Sequence, residues 1–413
     1  MDKLVVHEMR GYRIVLNRTS AKRISVESAI NAGFIHETKD TSGINHLLEH
    51  IMTEAWKSCG SSCSQYWADR GVSMNASTDA TQMMYYVKGL KEDLPQMVAY
   101  ITAITDHPVF RKSSIEKEKQ AVTDELLTVG SDPWSKLDTV FNHLFYTNGL
   151  EFKDDWKLQI KNLKHLTLAD LKRAYETQFN SANVVFLVSG DFSPPAVLHL
   201  FDHALQQKPH GTRGEASGFT FAHAIVHVKD ASETSRLQLS MPSHNNEISV
   251  LTTLAVYVLG DVLFYHLRTK HQLVYGIHVT AGTSTCGTRL DFAADVRPQN
   301  IKATLRIIWA QLHQLLRHVP DKALASAKKR YHVREYTRVP DVEFYSVQFL
   351  TNPNRVVTRA EQRNIVDRCT AADLRDAFAS LFQFDNFVCV YQGNRDVHLQ
   401  LDDFKASRGT RKR

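Results

Sequence analysis

The feature that most limits what this chain can fold into is an internal repeat. Leu166-Thr-Leu-Ala-Asp-Leu-Lys-Arg-Ala-Tyr175 recurs as Cys369-Thr-Ala-Ala-Asp-Leu-Arg-Asp-Ala-Phe378. Thr167 and Thr370, Asp170 and Asp373, Leu171 and Leu374, and Ala174 and Ala377 are each 203 positions apart. The same offset relates Phe179 to Phe382, Asn183 to Asn386 and Gly190 to Gly393. Each copy places a Thr where a helix needs its N-cap. An apolar strand then follows, Val184-Val-Phe-Leu-Val188 in one copy and Phe387-Val-Cys-Val-Tyr391 in the other. An offset held constant through both elements marks a duplication, at a period too long for a solenoid. It predicts two homologous domains of about 200 residues each. The Gly- and Pro-containing stretch 206–218 reads as a linker, so the expected division is 1–205, linker 206–218, and 219–413.

Within the first half the hydrophobic period changes type several times. Arg23 to Ile30 and Gln82 to Val87 alternate as strands, whereas Ile44 to Trp56, Leu94 to Thr105 and Ser114 to Val129 carry helical spacing. That succession predicts an α+β fold, each domain packing helices on a largely antiparallel sheet. With 43% apolar and 23% charged residues the chain has the profile of a globular protein. No run approaches the roughly 18 uncharged apolar residues of a membrane-spanning helix, and residues 1–10 do not read as a targeting signal. No membrane partner is expected. The net charge of +6 is mild and is most concentrated in the tail Arg408 to Arg413. No basic stripe is interleaved with aromatics, so no nucleic-acid partner is expected. Five scattered cysteines, an odd number, argue against a disulfide framework. They suit a cytoplasmic or other reducing intracellular compartment. Cys59 and Cys63 are expected to be packed or free thiols rather than a second metal site.

The motif that carries chemistry is His46-Leu-Leu-Glu-His50. On a helix, positions 46 and 50 lie on one face, a turn apart. Two imidazoles so placed can reach one ion at about 2.0–2.1 Å. Glu49 lies beside them, where it can take a proton from water. Gly43, with Thr41 or Ser42 as a cap, fits a helix beginning here. Glu118 and Glu125 share one face of the helix predicted over 114–129. A hydrolytic zinc site wants three protein ligands and one open position. Glu125 is the expected third ligand, and Glu118 the group that orients the others.

Taken together, these residues resemble the insulinase and mitochondrial-processing-peptidase family of inverzincin metallopeptidases. That family pairs an inverted His-x-x-Glu-His motif with a downstream zinc-binding glutamate, and here Glu125 follows His50 by 75 residues. Ala32-Gly33 looks like the family's Ala-Gly strand end. Ser73-Met-Asn-Ala-Ser-Thr78 is similar to its Asn-Ala-x-Thr segment, which implies that Asn75 and Ala76 hold substrate backbone. Leu267-Arg-Thr-Lys-His-Gln-Leu-Val-Tyr275 resembles a second signature, implying that Arg268 and Tyr275 bind the substrate carbonyl and its oxyanion. The second half has no counterpart of the zinc motif, so the resemblance implies one Zn2+ per chain. It implies an endopeptidase acting on extended or unfolded peptides, with Glu49 as catalytic base. The family closes its chamber from four homologous domains. A two-domain chain therefore implies a homodimer, or a heterodimer with a related subunit. The alternative is a non-catalytic core subunit of the same fold. Departures from the family pattern at Leu259 to Tyr265 and Tyr146 to Trp156 bear on substrate preference.

Overall fold

All seven residues of Ile24-Ser-Val-Glu-Ser-Ala-Ile30 are buried, which requires a central strand covered on both faces. The computed structural model describes residues 3–145, 155–206, 211–214, 223–243, 250–284, 287–337, 345, 348–350 and 356–404. The tail after Phe404, most of the expected linker, and 146–154 within the Tyr146 to Trp156 departure lie outside the described residues. The chain divides into two compact units.

The first unit opens with β1 (Lys3–Met9), β2 (Tyr12–Arg18), β3 (Ile24–Ile30), α1 (Ile44–Thr53) and α2 (Cys63–Ala68). It continues with β4 (Ser73–Thr78), β5 (Met83–Gly89), α3 (Leu94–Asp106) and α4 (Lys112–Ser131). The next helix, α5 (Pro133–Phe145), belongs to the second unit. The chain then returns to the first for α6 (Trp156–Leu163), α7 (Leu168–Gln178), β6 (Val184–Gly190) and α8 (Pro194–Ala204). The second unit resumes with β7 (Ala224–Lys229), β8 (Ser235–Ser243) and α9 (Val250–Phe264), which runs on into a π-helical turn, Tyr265–Lys270. It ends with β9 (His278–Ser284), β10 (Gly287–Val296), α10 (Ile301–Arg317), α11 (Asp321–Thr337), α12 (Arg359–Arg368), α13 (Ala371–Leu381) and β11 (Val388–Gly393).

The first sheet has the order β1-β2-β6-β3-β5-β4 and the second β7-β11-β8-β10-β9. The β2–β6 and β7–β11 pairs are parallel and the other pairs antiparallel. This is the expected α+β fold. With β1 set aside, the two orders correspond strand for strand, and β6 takes the place of β11. The repeat read in the sequence becomes two identical capping boxes. Thr167 Oγ1 accepts from the Asp170 N–H at 3.3 Å while the Asp170 carboxylate accepts from the Thr167 N–H at 2.9 Å. Thr370 and Asp373 do the same at 3.3 and 2.7 Å. Such caps each contribute about 1 kcal/mol.

The units are not the two contiguous halves of the sequence. A sheet whose central strands are apolar on both faces needs a covering layer on each side. The α1 and α3 helices cover one face of the first sheet. Its other face, with Val15, Ala29, Val185 and Leu187, packs against Tyr345, Phe349 and Leu350 from far along the chain. In the second unit, Val388 and Val390 of β11 pack against Leu137 and Phe141 of α5. Relative to the division 1–205 and 219–413, the two halves exchange one covering segment each.

Two further departures from the sequence reading concern α9 and the cysteines. Among the described residues one helix, Val250–Lys270, is long and apolar enough by length and composition to cross a membrane. Asp261 interrupts its apolar run, and Leu254, Ala255, Val258, Leu259, Leu263 and Leu267 are buried in the second core. Cys59 and Cys63, expected as packed or free thiols, form a disulfide. Cys59 ends a short turn of 3-10 helix and Cys63 opens α2, which brings their Cα atoms to 4.8 Å, within bridging range. Cys369 and Cys389 are free and buried.

Candidate metal centre

The helix that carries the site is started by neither Thr41 nor Ser42, the caps expected from sequence. Instead the buried Glu37 carboxylate accepts from the Gly43 N–H at 3.0 Å and the Asn45 N–H at 2.9 Å. An anion there also faces the positive end of the helix dipole. Gly43 sits at φ +95°, a left-handed conformation that suits glycine, and a Cβ would lie 3.1 Å from Gln159 of α6. The Asn45 side chain donates to the Gly33 carbonyl at 2.9 Å. Gly33 has no room for a side chain, because a Cβ would stand 2.4 Å from the Asp79 carbonyl oxygen. Gly33 thus links the start of α1 to the turn between β4 and β5.

From that start, His46, Glu49 and His50 fall on one side of α1, and α4 brings Glu118 and Glu125 against them. The two imidazoles meet edge to face with centroids 5.1 Å apart. One carboxylate oxygen, Glu125 Oε2, lies 3.5 Å from His46 Nε2 and 3.4 Å from His50 Nε2. His50 Nδ1 is 3.3 Å from Glu118 Oε2. In the tautomer that donates from Nδ1 to Glu118, the Nε2 lone pair is the one on the Glu125 side. Burial works to lower the His46 pKa, but the Glu125 contact and the charges of Glu49, Glu125 and Glu37 outweigh it and hold it above the usual value. The same contact with His46 draws the Glu125 carboxyl below the usual range against the effect of burial. Burial lifts the Glu49 pKa, opposed by a hydrogen bond from Thr78 and by both histidines.

The three donors are close enough to serve one ion, since the ligand atoms of His46, His50 and Glu125 all lie within 4.8 Å of one another. Ligands on a tetrahedral zinc with bonds of about 2.0–2.1 Å stand about 3.3–3.4 Å apart. The contacts of Glu125 with His46 at 3.5 Å and with His50 at 3.4 Å are compatible with that spacing. Two imidazoles and a carboxylate are a donor set that suits zinc and neighbouring divalent ions. Glu54, Cys59 and Cys63 also cluster, but the two sulfurs are bonded to each other. Glu54 there accepts the N–H groups of Cys63 at 2.7 Å and Ser64 at 3.2 Å, so it satisfies the start of α2.

The other residues singled out in the sequence occupy two places. Asn75 and Ala76 lie on β4, the edge strand of the first sheet, and the Asn75 side chain accepts its neighbour's N–H at 2.9 Å. Arg268 and Tyr275 belong to the second unit and are brought together there, the guanidinium 4.8 Å from the ring centroid. Arg268 projects from the π-helical turn, and Tyr275 is 82% exposed. Two residues of the site had no role assigned in the sequence reading: Glu37, which starts α1, and Thr78, whose hydroxyl donates to Glu49 Oε2 at 2.7 Å.

Residues 13–150 match the family model described as insulinase (peptidase family M16), and residues 165–331 match the model described as peptidase M16 inactive domain. The chain belongs to the insulinase family. Its relatives include cytochrome b-c1 complex subunit 1, mitochondrial, of Bos taurus, 25% identical over 193 residues. That match covers 46% of this chain and 40% of the bovine protein, so it spans less than half of the relative's length. An uncharacterized zinc protease of Streptomyces coelicolor is 22% identical over 327 residues, 75% of this chain and 71% of that one. Among solved structures, a peptidase M16 inactive domain from Pseudomonas fluorescens superposes with a TM-score of 0.82 at 15% identity. It covers 95% of this chain and 98% of its own, which shows the shared fold.

Glu37→Ala leaves two N–H groups at the start of α1 without their acceptor. It is expected to cost about 1–3 kcal/mol of stability, read as a lower midpoint in thermal or denaturant unfolding. An unchanged midpoint would contradict the capping role.

Proposed function

We propose that this chain is a zinc-dependent endopeptidase that hydrolyses extended or unfolded peptides. The observation that carries the reading is the convergence of His46, His50 and Glu125, whose ligand atoms lie within 4.8 Å of one another, with Glu49 beside them. His46, His50 and Glu125 would hold one Zn2+ per chain. Bound there, it would polarise a carbonyl or lower the pKa of water towards about 7. Glu49 takes the proton of the attacking water and returns it to the leaving amine. Glu118 holds the His50 ring in one orientation and one tautomer. Asn75 and Ala76 align substrate backbone along the open edge of β4, a mode that favours extended chains over a defined sequence. Arg268 and Tyr275 are the donors assigned to the developing oxyanion.

A second reading is supported by the bovine relative, which is named as a subunit of a complex: a non-catalytic core subunit with the same fold. Intact ligands and an intact Glu49 favour the peptidase. In either case we propose a partner, a second copy or a related subunit, because the family's chamber is built from four such domains. Sedimentation at nanomolar concentration tests that point, and a fully active monomer would end it.

Zinc content measured together with cleavage of a quenched peptide separates the two readings. The native chain is expected to carry stoichiometric zinc and to cleave. Glu49→Gln is expected to keep the zinc and lose turnover by about 10²–10⁴-fold. A native chain without zinc and without cleavage would select the core-subunit reading, and undiminished turnover in the variant would remove Glu49 as the base.

A further inference from the structure

Thr78 is the last residue of β4, and strand alternation puts it on the same face as Met74 and Ala76. Those two are anchored in the first core, where the Met74 sulfur lies 2.9 Å from the Tyr100 hydroxyl. The backbone carrying Thr78 is also fixed on its inner side, where β4 pairs with β5 and Thr78 stands opposite Met83. A β-branched side chain on such a strand has few rotamers. Its hydroxyl therefore points from a rigid mount.

That hydroxyl donates to Glu49 Oε2 at 2.7 Å, a short, charge-assisted contact in a part-buried setting. Among the described residues Glu49 Oε1 makes no hydrogen bond, so the carboxylate is held at one oxygen only. Glutamate has three rotatable bonds and loses considerable freedom when fixed. A carboxylate that must meet a water within hydrogen-bond reach gains from being held in advance. Thr78 also lies three residues from Asn75 on the strand proposed to carry the substrate.

We infer that Thr78 is a positioning residue: its hydroxyl pins one oxygen of Glu49, presents the other to the attacking water, and ties the base to the substrate-bearing strand. The inference rests on the peptidase reading for its kinetic consequence. The Thr78–Glu49 contact itself does not depend on that reading.

The test compares Thr78→Val, which keeps the shape and removes the hydroxyl, with Thr78→Ser, which keeps the hydroxyl. Zinc content, kcat and KM on a quenched peptide, and crystal structures of both variants are the readouts. Thr78→Val is expected to retain zinc and to lower kcat about 10- to 100-fold with KM little changed. Thr78→Ser is expected to restore most of that loss. In the crystals, Glu49 should leave its present rotamer in the Val variant and keep it in the Ser variant. Glu49 unmoved in the Val crystal, or kcat as high in Val as in Ser, would overturn the inference. Loss of zinc from the Val variant would also overturn it, by assigning Thr78 to the fold of the site. If the native chain carries zinc and cleaves nothing, the peptidase reading fails. The crystal comparison then still decides whether Thr78 holds Glu49.

Discussion

A single carboxylate oxygen, Glu125 Oε2, is shared by two imidazoles that lie one turn apart on another helix. That meeting requires α1 and α4 to keep a fixed register, and the apolar residues between them enforce it. Ile44, Leu47, Leu48 and Ile51 of α1 enter the same core as Ile115, Val122 and Leu126 of α4. Side chains of this kind contribute about 1.5–3 kcal/mol each on burial. That is ample to hold two histidines and two glutamates in a half-buried cluster. At the N-terminal end of the same helix, Glu37, Gly43 and the Asn45–Gly33 contact fix where α1 begins. Without that start, the turn that presents His46 and His50 would have no defined direction.

The duplication gives an internal control. By strand order, α9 and α11 of the second unit stand where α1 and α4 stand in the first. They too pack together, but the residues facing each other differ. Arg330 of α11 is hydrogen-bonded and ion-paired to Asp261 of α9, and Arg334 Nη1 donates to the Tyr257 hydroxyl at 3.0 Å. A cation on one helix and an anion on the other replace the shared donor set of the first unit. One fold therefore carries two ways of joining the same pair of helices, and among the described residues the first of them gathers two imidazoles and a carboxylate at one place.

Much of this was legible in the sequence because the signals were local or periodic. The helical spacing of His46 and His50, the seven-residue spacing of Glu118 and Glu125, and the repeated Thr-x-x-Asp caps are features of short stretches, and each took the form its spacing implied. The segment Ser73 to Thr78 was legible only through its resemblance to the family's Asn-Ala-x-Thr segment, and it forms β4. The parts that were not legible depend on contacts that sequence order does not encode. Leu137 and Phe141 could cover either sheet, and nothing in α5 itself says that it covers β11. Glu37 reaches forward six and eight residues to cap α1, past the Thr and Ser that local preference favours. The Cys59–Cys63 bridge depends on the turn between two short helices, whereas an unbroken helix would have held those side chains apart in fixed rotamers. Thr78 was in view as part of a motif, but its partner lies 29 residues away.

Zinc-edge anomalous diffraction from crystals of the purified chain tests the central claim most directly. The account predicts one ion in the first unit, bonded by the Nε2 atoms of His46 and His50 and by the Glu125 carboxylate, with Glu118 on the far side of the His50 ring. An ion held by other residues, or these three side chains turned to separate partners with no ion between them, would contradict it.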